Sequence, residues 1–98
     1  MKQFMFTCKL PPALSSEFLS LIPEQRKVVK ELMEKNLLIS YTLSSDRSTL
    51  WMLIESETEA EAMLVASQLP LNSFMEHEIK EVMFHHSMDF SIPQPSLN

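Results

Sequence analysis

The sequence predicts one small α+β domain built on a four-stranded antiparallel sheet. The chain has 98 residues, which is the size of a single domain spanning 1–98. Apolar residues make up 45% of it, as in ordinary globular proteins. Strand-like segments and helix-like segments follow each other in the order β-α-β-β-α-β. These three observations together predict a sheet with helices packed on it.

The first strand is predicted over residues 2–10. Its side chains alternate, so that Phe4, Phe6, Cys8 and Leu10 share one face. A Pro-Pro pair follows and ends the strand, because proline cannot donate to a ladder.

The next segment predicts two consecutive helices, 17–21 and 23–35. Ser15 or Ser16 offers a first N-cap, and Pro23 suits the start of a new helix better than the interior of a long one. The predicted core-facing stripe of the longer helix is Val28, Val29, Leu32 and Met33.

A hairpin is predicted next, with strands over 37–44 and 48–55 joined by a turn at 45–47. Asn36 precedes it and is suited to a left-handed helix C-cap in place of glycine.

The last third of the chain predicts a helix and a strand. Ser56 and Glu59 have the spacing of a capping box, so a helix is predicted to start there and to stop at Pro70. The fourth strand is predicted over 75–85, and the remaining residues, 87–98, are predicted to be an extended tail.

This order of elements is that of the ferredoxin-like fold, with helices on one face of the sheet. The other face then needs a cover, because the run at 50–54 is apolar without a break, as is 4–6. An open apolar face of this size favours a homodimer or a higher homo-oligomer formed sheet against sheet. The alternative is a monomer whose tail, with Phe90 and Ile92, folds back over part of the face.

Composition excludes several classes of function. The net charge is −5 and the cations are scattered, which disfavours binding to nucleic acid or to anionic membranes. The chain contains no glycine, which excludes the Gly-rich phosphate loop and the dinucleotide fingerprint. Cys8 is the single cysteine, so we expect a cytoplasmic protein with no disulfide and no zinc site, and with this thiol acting as a small apolar side chain.

Short motifs in the last two elements resemble a known family. They are Leu-Pro-Leu at 69–71, Phe-Met-Glu at 74–76, and a histidine and a serine at His85 and Ser87. Over 36–87 the chain resembles the muconolactone isomerase family of the dimeric α/β-barrel superfamily. The resemblance implies a dimeric barrel and a cofactor-free isomerase that moves a proton on a small organic acid or lactone.

The chain departs from this family where the ligand would bind. The family's second strand carries basic and aromatic side chains, whereas the stretch at 38–43 is uncharged. The family's Lys-Glu pair near the start of the long helix is replaced by Glu-Gln-Arg-Lys at 24–27.

Five residues are candidates for a functional site. His77, His85 and Tyr41 are candidate catalytic residues, since histidine titrates near neutrality and tyrosine offers a hydroxyl in an apolar setting. Arg26 and Trp51 are candidate substrate-binding residues, for an anion and for an apolar surface respectively. The alternatives are packing for Trp51 and Tyr41, and a solvated position for the other three. No cofactor and no metal are predicted.

Three functions remain open at this point. The first is the isomerase-like proton transfer, and the second is a non-catalytic oligomeric module that binds a small ligand or a protein. The third is a cofactor-independent monooxygenase of the same superfamily.

Overall fold

A computed structural model describes residues 1–85, and the predicted tail at 87–98 lies outside them. The described part is an α+β fold with one antiparallel sheet in the order β2-β3-β1-β4, which is compatible with a ferredoxin-like fold. The strands are β1 (Lys2–Lys9), β2 (Leu38–Leu43), β3 (Thr49–Ser56) and β4 (Glu76–Val82), and the helices are α1 (Ser16–Ser20), α2 (Ile22–Glu34) and α3 (Glu59–Ser67), with a 3₁₀ turn at Asn72–Phe74.

The register of the central strands separates the two faces of the sheet. Phe4 pairs with Ile54 and Phe6 pairs with Met52, and all four side chains are buried beneath the helices. The predicted alternation in β1 is therefore confirmed, and Cys8 lies in the same buried row. This face is the main core of the domain.

The two ends of the α1–α2 segment form as the sequence predicts. The Ser15 hydroxyl accepts a hydrogen bond from the Phe18 amide at 3.1 Å and caps α1. Asn36 has a φ of 61° after the end of α2. The Leu37 amide bonds to the Leu32 carbonyl at 3.0 Å, which closes the helix in a Schellman motif.

The predicted N-cap of α3 is wrong by two residues. Ser56 is the last residue of β3, where it pairs with Lys2, so it cannot cap a helix. Thr58 is the N-cap instead, and its hydroxyl accepts from the Glu61 amide at 3.1 Å. The sequence contains two overlapping capping patterns, and the length of the β1–β3 pairing selects the later one.

The predicted end of the fourth strand is also wrong. β4 ends at Val82, which pairs with Gln3. Because β1 begins only one residue earlier, at Lys2, a longer β4 would find no partner there. His85 therefore lies outside the strand, whereas the strand predicted over 75–85 includes it.

The open face of the sheet is less apolar than the sequence suggests. The run at 50–54 splits between the two faces, and only Trp51 and Leu53 point away from the helices, beside Met5 of β1. Leu53 is fully buried and Trp51 is 38% exposed. The apolar part of this face is therefore a narrow strip.

The helices that the structure describes lie within residues 1–85. No helix there has the length and apolar character needed to span a bilayer.

Candidate functional site

A cavity of about 420 Å³ opens on the helix-covered side of the sheet, where α1 and α2 meet the β2–β3 hairpin. Its volume lies within the range of small-molecule pockets. Most of its lining is apolar, and four polar side chains face it. The described lining residues are Leu10, Leu14, Phe18, Leu19, Ile22, Gln25, Arg26, Tyr41, Leu43, Arg47, Leu50, Leu71 and Met75.

A hydrogen-bonded pair, Gln25 and Tyr41, forms the polar part of the cavity wall. The Gln25 Nε2 group donates to the Tyr41 Oη at 2.9 Å, and the Gln25 Oε1 accepts from the Leu71 amide at 3.0 Å. The phenol oxygen is thus an acceptor toward Gln25. Among residues 1–85 its own proton has no acceptor, so it remains available to a ligand.

Burial keeps the Tyr41 hydroxyl protonated. Desolvation raises the pKa of Tyr41 above its ordinary value, and the hydrogen bond from Gln25 only partly offsets this. At neutral pH the group therefore acts as a hydrogen-bond donor.

Gln25 is a polar residue inside the core, only 3% exposed. It lies seven residues before Leu32 on α2, which places both on the inner side of the helix. Met33, which the sequence assigns to the inner stripe, is instead 38% exposed. Both ends of the Gln25 amide are satisfied, so its burial is compatible with a stable core.

The two arginines reach the cavity from different elements. Arg26 lies on α2 next to Gln25, and Arg47 lies in the turn between β2 and β3. Both are exposed at the mouth. Within the described part of the chain neither side chain takes part in an ion pair or a hydrogen bond.

The turn that carries Arg47 is held by the carboxylate of Asp46. This group accepts hydrogen bonds from the Ser44 hydroxyl at 2.7 Å and from the Ser48 hydroxyl at 2.7 Å and amide at 3.0 Å. These bonds to the charged form lower the pKa of Asp46 to about 2. The turn is therefore tied together at neutral pH.

A second polar pair, Cys8 and His77, lies between β1 and β4, and neither residue lines the cavity. The Cys8 Sγ is 3.4 Å from the His77 Nδ1, and the His77 Nε2 is 3.1 Å from the Asn72 carbonyl oxygen. A carbonyl only accepts, so Nε2 carries a proton and Nδ1 accepts from the thiol in the neutral ring. Burial raises the pKa of Cys8 to about 11, which keeps the thiol protonated.

The remaining candidates lie away from the cavity. Trp51 is on the opposite face of the sheet, paired with Thr7 and Thr42. His85 is exposed beyond the end of β4. Of the five predicted residues, Arg26 and Tyr41 are therefore brought together in one cavity, and His77, His85 and Trp51 are not.

Metal binding finds no candidate in residues 1–85, where no three side chains of the types that ligate metals are grouped closely enough to hold an ion.

Comparison with known proteins adds no family. Neither protein-family models nor curated protein sequences match the chain.

Of the four polar side chains in the described cavity lining, sequence reasoning missed two, Gln25 and Arg47. Gln25 could have been found from helix periodicity, because it lies seven residues before Leu32 and therefore on the same inner face of α2. Arg47 carries only a weak signal, because a charged residue in a turn is ordinarily solvated.

Proposed function

We propose that the chain is a small-ligand-binding protein whose cavity takes an organic acid or lactone with an apolar body. The observation that carries this proposal is the free donor of Tyr41 in a largely apolar cavity, beside Arg26. A few directed polar groups in an apolar pocket are the usual composition of a ligand site.

Ligand binding is favoured over catalysis because of what lines the cavity. Among the described lining residues there is no carboxylate and no imidazole, so none supplies an evident general base. The same lining gives no support to the monooxygenase alternative.

The test uses the methionine methyl groups as reporters. We expect γ-octalactone to shift the ¹³C-methyl signal of Met75, which lines the cavity, and to leave that of Met63, exposed on α3, unchanged. In Tyr41→Phe the affinity should fall about fivefold to tenfold, since a donor to the lactone carbonyl is lost. Equal shifts at both methyl groups, or no shift at Met75, would contradict the proposal.

An isomerase-like reaction is a second candidate, favoured by the protonated phenol of Tyr41 in the cavity. This hydroxyl would donate a hydrogen bond to the carbonyl oxygen of a lactone while a solvent water takes the proton from the adjacent carbon, and solvent then returns a proton to the enolate. Catalysed exchange of that C–H hydrogen for deuterium in D₂O, lost in Tyr41→Phe, would support it. If the exchange proceeds only at the uncatalysed rate, the isomerase-like reaction is contradicted and ligand binding remains the proposed function.

We also propose that a second copy of the chain covers the open face of the sheet, as in a dimeric barrel. Trp51 and Met5 supply its apolar strip. By register this face also carries both signs of charge, including Lys80 and Glu78 in a 3.7 Å ion pair, so two copies can meet without uniform repulsion.

The mass in solution tests this dimer. Light scattering should give twice the chain mass for the wild type and the single-chain mass for Trp51→Lys. The matched control is Leu64→Lys on the outer side of α3, where Leu64 is 66% exposed, and it should remain dimeric. A monomeric wild type would overturn the proposal.

A further inference from the structure

Both arginines of the chain line the same cavity, Arg26 from α2 and Arg47 from the β2–β3 turn, and none of the lysines does so. Arginine differs from lysine in its planar fork of donors, which matches a carboxylate with two parallel hydrogen bonds. In a chain of net charge −5, this places the two groups best suited to a planar anion at one opening.

Within residues 1–85, neither guanidinium group is neutralised by a carboxylate. In the part of the chain that the structure describes, the ion pair joins Lys80 to Glu78, and the hydrogen bonds include none from Arg26 or Arg47. Their donors are therefore free to bind an anion from solution.

The polar groups of the cavity all offer donors to a ligand. The Tyr41 proton has no acceptor in the described part of the chain, and the oxygen of Gln25 already accepts from the Leu71 amide. With no Asp, Glu or His among the described lining residues, a ligand must supply the acceptors. A carboxylate does so at two oxygens.

The rest of the cavity restricts the ligand to one with an apolar body. Three leucines at the rim are substantially exposed, Leu14 by 36%, Leu19 by 49% and Leu43 by 50%. Covering them with an apolar chain removes their surface from water, whereas a compact polyanion would not. The interior is closed by Leu71 and Met75, which are buried.

We infer that the ligand is an apolar monocarboxylate whose carboxylate binds Arg26 and Arg47 at the mouth, with its apolar end directed toward Met75. Arg47 is then a specificity-determining residue. This inference rests on the proposed function, and it narrows the ligand from an acid or lactone to the carboxylate.

The test compares octanoate with octanamide, which has the same chain and no charge, by titration of the Met75 ¹³C-methyl signal at pH 7. Octanoate should bind about tenfold more tightly than octanamide. In Arg47→Gln the affinity for octanoate should fall about tenfold and that for octanamide should stay within about twofold. The control is Lys27→Gln, which removes the same charge from α2 outside the cavity lining and should bind octanoate like the wild type.

The outcomes distinguish failure of the carboxylate preference from failure of ligand binding by the cavity. If both probes shift the Met75 methyl signal and bind with equal affinity, the cavity remains a ligand site. Its preference for a carboxylate is then overturned. An equal loss of octanoate affinity in Arg47→Gln and Lys27→Gln would also overturn it, since the effect would be net charge alone. No shift at Met75 with either probe would overturn both proposals.

Discussion

Two hydrogen-bonded pairs lie on the helix-covered face of the sheet, and they differ in what they leave unused. In the Cys8–His77 pair the imidazole is occupied at both nitrogens, by the thiol and by the Asn72 carbonyl. In the Gln25–Tyr41 pair the amide is occupied at both ends, and the phenol proton has no acceptor among residues 1–85. Among the described residues, the second pair lines the 420 Å³ cavity and the first does not.

The difference teaches that residue type alone does not locate a site. By residue type, histidine beside cysteine is the more reactive combination. Here, however, burial disfavours the thiolate form of Cys8. The His77 ring also packs edge-on to Phe6, with ring centroids 6.2 Å apart. A glutamine and a tyrosine are less reactive, but in this pair the Tyr41 hydroxyl offers a hydrogen-bond donor to the cavity. Spare hydrogen-bonding capacity next to a cavity is the feature that separates the two pairs.

The largest expected effect comes from breaking the Gln25–Tyr41 pair with Gln25→Met, which keeps the shape and removes both polar atoms. The Leu71 amide would be left buried without an acceptor, so the free energy of unfolding should fall by about 2 kcal/mol. Urea unfolding measures this. Gln68→Met, at the exposed end of α3, is the control, and a loss as small as that of the control would show that the pair contributes little.

A smaller, pH-dependent effect is expected from the Cys8–His77 pair. Folding raises the pKa of Cys8 from 9.0 to about 11, so above pH 9 the unfolded chain loses a proton that the folded chain keeps. Stability should therefore fall as pH rises from 9 to 11. The difference between wild type and Cys8→Ala should shrink by about 1 kcal/mol between pH 8 and pH 10. A constant difference across that range would contradict the shift.

The smallest effect is expected at the turn beside the cavity. The pKa of Asp46 is lowered from 3.8 to about 2, so its ionised form stabilises the fold above pH 3.8 and this contribution is lost as pH falls to 2. Between pH 4 and pH 2 the melting temperature of the wild type should drop further than that of Asp46→Asn. Glu34→Gln, an exposed carboxylate on α2, should follow the wild type.

Much of the fold is predictable from local patterns. The order of the elements, the cap at Ser15 and the left-handed Asn36 each depend on a few neighbouring residues, and each is confirmed. The errors at Ser56 and His85 have a common cause. The length of a strand is decided by its partner across the sheet, and that information lies some fifty or more residues away in the chain.

The cavity is only half predictable for the same physical reason. Arg26 and Tyr41 can be nominated from their side-chain chemistry, but their proximity arises from α2 packing on β2. Gln25 is polar and Arg47 lies in a turn, so by composition both would be assigned to solvent. Tertiary packing gives one a buried role and gives the other a place at the mouth.

The backbone conformation of Arg47 affects which residue selection would favour at this position of the turn. Its φ of 63° is a conformation that glycine adopts freely and that disfavours an arginine by about 1 kcal/mol. Selection for thermal stability alone would therefore replace Arg47 with glycine, at a position where the hairpin would accept the change. In a library of variants selected only for heat resistance, we expect Arg47→Gly to be enriched. When the same library is selected for carboxylate binding, we expect variants that keep Arg47 to be enriched instead.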